Sequence, residues 1–224
     1  MTHDSNLPEG FSIRPFQLKD KPALYDICIQ TADSGNDASH LYSNKEALPD
    51  FYVGPYLEFA PEFAFVVVDA EQKVCGYVIG CPDSKAFYER VEKEWLPTMR
   101  EKYSQLHQQI QNGSSEETPR TQGIIKRFSN PNFHFPHDFE EFPSHIHMNF
   151  FPHAQRKGLG IELFHCITSV FQKAGSTGIH LGTGTKNQYA NPFYAEDGLI
   201  GATVLEQDAI TTYYGFPLPH APMR

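Results

Sequence analysis

Residues His145–Phe171 read HIHMNFFPHAQRKGLGIELFHCITSVF. The stretch opens with a β-prone run carrying Ile146, Met148, Phe150 and Phe151, and Pro152 stops that run. The loop Gln155-Arg156-Lys157-Gly158-Leu159-Gly160 follows. After it Leu159, Leu163, Phe164, Ile167, Val170 and Phe171 recur at helical spacing, which predicts strand, glycine-bearing turn, helix. Glycine lets a backbone approach a ligand closely, and a helix N-terminus presents unpaired N–H groups with partial positive charge. Such a turn suits a phosphate or pyrophosphate. A P-loop would need Lys-Ser/Thr after its last glycine, where Ile161-Glu162 stand, and a dinucleotide fingerprint would need a third spaced glycine.

Upstream of this stretch, 1–10 read as a loose polar tail and Phe11–Phe16 as a first strand. Asp20 is placed to cap a helix running to about Gln30. Two unusual loops come next, Thr31–Tyr42, dense in small polar and acidic residues, and Tyr52–Glu58. They read either as solvated turns or as a substrate-facing rim, with Asp33 and Asp37 attracting an amine and Tyr52 and Tyr56 packing as lids. Phe63–Asp69 and Val74–Cys81 predict a hairpin, and 84–111 a helix interrupted at Pro97. Residues 112–143 show no sustained period and read as an irregular insertion. Downstream come a strand at Ile179–Gly184, a short helix closed by Gly198, two strands at Gly201–Leu205 and Thr211–Phe216, and a tail at 217–224. Strands mixed with helices predict one α/β (mixed α+β) domain over 11–216.

Composition narrows the functional classes. The chain has 224 residues, 40% hydrophobic and 20% charged, which describes an ordinary globular protein. A net charge of −9 argues against nucleic acid or an anionic membrane as partner and suits a cationic substrate such as an amine. No apolar run approaches a membrane span. Cys28, Cys75, Cys81 and Cys166 form no CxxC pair, and no signal peptide stands at the N-terminus, so free thiols in the cytoplasm are expected, with the nucleus left open. An oligomer is possible but not indicated. His134, His137, His145, His147 and His153 cluster in sequence, yet lack a Cys partner or an HExxH helix, so no metal is expected.

The loop at Gln155–Gly160 matches the Q/R-x-x-G-x-G/A signature of the GNAT superfamily of N-acetyltransferases. Asn187…Ala190…Phe193-Tyr194…Gly198 resembles the N-x-x-A-x-x-F-Y-x-x-x-G-F pattern common in that superfamily, with Leu199 in place of the Phe. More narrowly, the chain resembles the acetyltransferase-like domain at the C-terminus of animal O-GlcNAcase and its free-standing microbial relatives. Tyr25…Cys28, Thr31–Tyr42, Tyr52–Leu57, Cys75–Val78, Asp83–Tyr88, Glu94–Pro97 and Pro143–His145 carry that likeness, which covers roughly residues 11–216. The resemblance implies a mixed, mostly antiparallel sheet of six to seven strands flanked by helices. It also implies acetyl-CoA as cofactor and an unidentified primary amine, a small molecule or a protein lysine, as acceptor. Backbone groups of Met148 and Phe150 would hold the pantetheine and acetyl oxygen, and Gln155, Arg156, Lys157, Gly158, Leu159 and Gly160 the pyrophosphate. Asn187 would touch the cofactor arm.

Tyr194 is the candidate general acid, because a phenol's pKa lies near that of the leaving thiol. Some superfamily members place a Glu on the strand before the loop as base, and this strand has none. His145 and His147 share one strand face by parity and are candidates for the base, with Asp33 and Asp37 as the other options. The animal domain is regarded as a pseudo-acetyltransferase, so a silent acetyl-CoA-binding or protein-interaction module is the alternative to an enzyme.

Overall fold

The computed structural model describes residues 7–130 and 139–219. Seven strands form one sheet in the order β1-β2-β3-β4-β5-β7-β6. They are β1 (Ser12–Pro15), β2 (Ala64–Val68), β3 (Val74–Cys81), β4 (Ser144–Phe150), β5 (Gly178–Gly184), β6 (Thr203–Gln207) and β7 (Thr211–Pro217). Every neighbouring pair is antiparallel except β4 with β5. The mixed α/β architecture with a mostly antiparallel sheet is therefore the one expected.

Helices cover both faces of that sheet. On one side lie α1 (Lys21–Gln30), α2 (Ala47–Tyr52), α3 (Gly54–Phe59), α4 (Ser84–Arg90), α5 (Leu96–Lys102), α6 (Ser104–Gln111) and α7 (Pro119–Ser129). On the other lie α8 (Leu159–Lys173) and α9 (Ala190–Tyr194). Two-sided cover explains why β2 and β3 are nearly continuous apolar runs, AFVVV and VCGYVIGC, where a one-sided strand would alternate. The Leu163, Phe164, Ile167 and Phe171 stripe of α8 packs with Val67, Val78 and Ile179, as its helical spacing predicts.

Four expectations need correction. Asp20 does not cap α1; its carboxylate takes both ends of the Arg14 guanidinium, at 2.6 and 2.8 Å, and the Gln17 N–H at 2.8 Å. Tyr52–Glu58 is no loop: α2 and α3 meet there, with Pro55 within the first turn of α3 where a missing N–H costs nothing. The helix at 84–111 is interrupted near Pro97 as expected, but in more than one place: it divides into α4, a π-helical turn at Val91–Trp95, α5 with Pro97 in its first turn, and α6. Within 112–143, α7 is a regular helix capped by the Thr118 side chain, and it buries Ile124, Ile125 and Phe128 in the core.

Candidate functional site

The site begins where β4 leaves β5. Their parallel pairing covers only Ser144↔Ile179 and His145↔His180. Phe151 N–H donates to Cys75 O at 2.9 Å, so by the alternation of an antiparallel ladder residues 145, 147 and 149 bond to β3. The N–H and C=O groups of Met148 and Phe150 therefore face the gap opened by the splay. One of them, Phe150 O, accepts the Gln155 side-chain amide at 2.9 Å, and the same nitrogen reaches Gly35 O at 3.1 Å. Gln155 is thus a brace between β4 and the Thr31–Tyr42 loop.

The loop after β4 carries two left-handed residues, Arg156 at φ 57° and Gly158 at φ 79°. Gly158 is the N-cap of α8, and no side chain caps that end, so the first N–H groups of a 15-residue helix are open. A Cβ built on Gly158 would meet nothing within 4 Å. The chain thus leaves open backbone donors, clear space and nearby positive charge at the position expected for a pyrophosphate. Arg156 lies 5.3 Å over the Tyr189 ring and Lys157 5.3 Å over the Phe11 ring.

Two hollows flank the splay. One, of about 500 Å³, is lined by Met148, Phe150, Arg156, Gly158, Gly160 and Tyr194 among others. The second, of about 510 Å³, is lined by Tyr42, Tyr52, Tyr77, Arg120, Arg127 and His147 among others. Thr31, Ser34, Gly35, Asn149 and Asn187 belong to both, so the hollows meet there. Each is the size of a small-ligand site. Asn187 Oδ1 accepts the N–H groups of Tyr189 and Ala190, which fixes the start of α9. Asp33 and Asp37 line neither hollow; Asp37 is held by the Ser39 N–H at 2.8 Å and faces solvent. Tyr56 is not a rim residue either, being buried behind His147.

A chain of hydrogen bonds leads from the core to the second hollow, and one carbonyl fixes its direction. Pro143 O can only accept, so the Ser84 hydroxyl 2.6 Å away donates to it. His145 Nδ1, 2.7 Å from Ser84 Oγ, must then carry its own hydrogen. Full burial pushes the His145 pKa well down, with His147 and His180 adding to the effect, so its ring is neutral and Nε2 accepts. Tyr56 O–H donates to that nitrogen at 2.5 Å. The Tyr56 oxygen accepts His147 Nε2–H at 3.1 Å. His147, pushed to about 4 by burial and by His180, is also neutral, which leaves its Nδ1 with the lone pair.

Both histidines titrate lower in the fold than in the unfolded chain, where the ordinary value is near 6.5. Between those values the unfolded chain binds more protons, so stability is full above about pH 6.5 and falls as pH drops toward 4. Denaturant melts between pH 7 and pH 5 should show a loss of up to about 1.4 kcal/mol per pH unit for each histidine. A His145→Gln variant should flatten the profile, and an unchanged profile would refute the neutral histidine pair.

Tyr194 lines the first hollow, 4.9 Å from the Phe193 ring. Burial raises its pKa, so it stays protonated. Among the described residues no buried side-chain polar atom lacks a partner, and its hydroxyl makes no hydrogen bond, so the hydroxyl reaches the hollow. Also among the described residues, no group of three His, Cys, Asp or Glu is placed to hold a metal. His134 and His137 lie outside the described residues.

No protein-family model matches the chain. Over 197 residues, 88% of its length, it is 26% identical to Protein O-GlcNAcase of Rattus norvegicus and of Mus musculus. It spans about a fifth (21%) of those relatives. Among solved structures, SsHAT superposes with a TM-score of 0.76 at 26% identity, covering 94% of this chain and 100% of that one. The chain has the GNAT acetyltransferase fold. More distant GNAT-fold structures agree on architecture. The Salmonella typhimurium protein yncA, solved with its cofactor acetyl-CoA, gives a TM-score of 0.52 at 12% identity, covering 96% of this chain and 98% of that one. The PaiA N-acetyltransferase of Thermoplasma acidophilum, in complex with coenzyme A, gives 0.53 at 10%, covering 92% and 98%.

Sequence reasoning missed four contributors to this GNAT-fold site: Ser84, Asn149, Arg120 and Arg127. The two arginines stand in TPRTQGIIKRF, where Thr before Pro and then Ile124, Ile125 and Phe128 at helical spacing were signals of a helix. Asn149 shares the parity of His145 and His147 on β4, and Ser84 lies in the Asp83–Tyr88 stretch, but neither residue type points to a role by itself.

Proposed function

We propose that this protein is an acetyl-CoA-dependent N-acetyltransferase that acetylates a primary amine in a ternary complex. The observation that carries the reading is the meeting of two hollows at the β4–β5 splay, one offering open backbone groups and the other a neutral histidine. The solved relatives yncA and PaiA hold acetyl-CoA and coenzyme A, and this chain's residues fit the same group. The N–H groups at Gly158, Leu159 and Gly160 would take the pyrophosphate, with Arg156 adding charge. Met148 and Phe150 would bond the pantetheine arm along the free edge of β4, beside Asn187. Acetyl-CoA supplies an acetyl group activated as a thioester.

The acceptor amine binds in the second hollow. His147 Nδ1 takes the proton the amine nitrogen must lose, and the Tyr56–His145–Ser84 chain holds the imidazole in the tautomer that can do so. Tyr194, protonated and open to the first hollow, returns a proton to the departing sulfur. The four unpaired thiols suit a reducing compartment such as the cytoplasm. A silent acetyl-CoA-binding module is the second reading, favoured by the absence of any carboxylate on β4.

Calorimetric titration with acetyl-CoA tests the reading, alongside Gly158→Glu. That variant puts a negative charge into open space at the helix N-terminus and forces a side chain onto a left-handed backbone. Binding should weaken at least tenfold. Failure of the wild type to bind would leave the fold without its chemistry, and binding without turnover on any amine would favour the silent module.

A further inference from the structure

The second hollow carries a charge opposite to that of the protein. The chain is −9 overall, yet no Asp or Glu lines this hollow, while Arg120 and Arg127 do. Seven residues apart on α7, they lie two turns from each other on one face of the helix. Gly123 stands between them, and a Cβ there would meet nothing within 4 Å, so the space they flank is clear.

Arginines elsewhere have partners. Arg14 pairs with Asp20, Arg90 with Glu94, and Arg100 donates to Phe128 O. Among the described residues, the three arginines with neither a carboxylate nor a backbone carbonyl are Arg156, at the hollow assigned to the cofactor, and Arg120 and Arg127. Arg127 is also pre-oriented: its Nη1 donates to Tyr52 O–H at 2.8 Å, and its guanidinium sits 5.7 Å from the Phe51 ring centre. The Tyr52 ring lies 6.0 Å from the His147 ring, so one side chain separates the held cation from the base. Exposed arginines with no carboxylate partner on an acidic protein, lining a cavity that Ser34, Tyr42 and Tyr52 also line, form a fork for an anion. A lysine-rich peptide entering the same hollow would meet like charge.

We propose that the acceptor is a small primary amine bearing an anionic group, a carboxylate or a phosphate, which Arg120 and Arg127 hold while the amine faces His147. The assignment of this hollow to the acceptor rests on the transferase reading above; the anion site itself does not.

The test uses matched pairs that differ in charge: 4-aminobutyrate against 4-aminobutanamide, and O-phosphoethanolamine against ethanolamine. Calorimetry on the full chain with saturating coenzyme A gives the affinities, and acetylation by acetyl-CoA gives the rates. At least one charged member should bind tenfold or more tightly than its neutral partner, with the advantage shrinking as salt is raised. The pair that shows it identifies carboxylate or phosphate. Arg120→Gln and Arg127→Gln, both at exposed positions, should each remove most of the advantage, and Arg127→Lys should restore part of it. Equal or weaker binding of both charged members, or no detectable binding of either, overturns the anion site. Equal acetylation of charged and neutral members would leave the transferase standing without it. A charge preference in binding with no acetylation of any amine would do the reverse.

Discussion

His147→Ala should lower kcat for acetyl transfer by about 10²- to 10⁴-fold, the range a positioned general base supplies. Its affinity for acetyl-CoA should stay within about twofold, because His147 lines the second hollow and not the first. The lone pair on Nδ1 exists only because Tyr56 accepts the Nε2 hydrogen, so Tyr56→Phe should reproduce part of the loss, about tenfold, without touching the imidazole. The pH profile separates this base from an ordinary surface histidine. The neutral form is active, and burial holds the His147 pKa near 4, so the enzyme-borne acid limb should begin well below pH 6. Stopped assays with a dye that captures free coenzyme A would read all three quantities. An unchanged kcat in His147→Ala would eliminate the base and pass the proton to solvent.

Asp50→Ala should cost about 2–4 kcal/mol of unfolding free energy, measured in denaturant melts, because stripping a hydroxyl of its acceptor away from water costs about 1–3 kcal/mol. Asp50 is 3% exposed at the junction of α2 with α1 and α5. Its carboxylate accepts the Tyr25 hydroxyl at 2.8 Å, the Tyr103 hydroxyl at 2.6 Å and Lys102 Nζ at 2.7 Å, while its carbonyl accepts Trp95 Nε1 at 2.9 Å. Alanine would leave the buried Tyr103 phenol and the half-buried Tyr25 phenol without their acceptor and Lys102 with Glu46 alone. Asp50→Asn should cost less, since an amide oxygen still accepts. A loss under about 1 kcal/mol for alanine would mean that water enters and replaces the carboxylate.

Where periodicity was strong, sequence and structure agree closely. β3 occupies Val74–Cys81 as expected, and α8 runs from Leu159 through the predicted apolar stripe. Local signals failed where tertiary contacts decide. The Tyr52–Leu57 motif looks like a turn because Gly54 and Pro55 are turn residues, but Pro55 opens α3 and Tyr56 is buried under it. The Asp33–Asp37 loop looks like a trap for amines, yet its carboxylates line neither hollow although Ser34 and Gly35 between them line both, a placement that composition cannot carry. The histidine pair on β4 was legible by parity. Which of the two to propose as the base was not, because the choice depends on Ser84 and Tyr56, distant in sequence, and on the Pro143 carbonyl.

The two-residue contact between β4 and β5 has a consequence for the molecule as a whole. Strands β1–β4 and strands β5–β7 form two hydrogen-bonded halves, and the edge that should join them stops short. A pantetheine arm bonded along Met148 and Phe150 would serve as a partial eighth strand, along an edge where the Gln155 side chain now reaches Phe150 O. Ligand and architecture would then be one cooperative unit: occupancy would tighten the seam between the halves, and loosening the seam would release the ligand. The reactant would be, for the length of its stay, a piece of the protein's secondary structure.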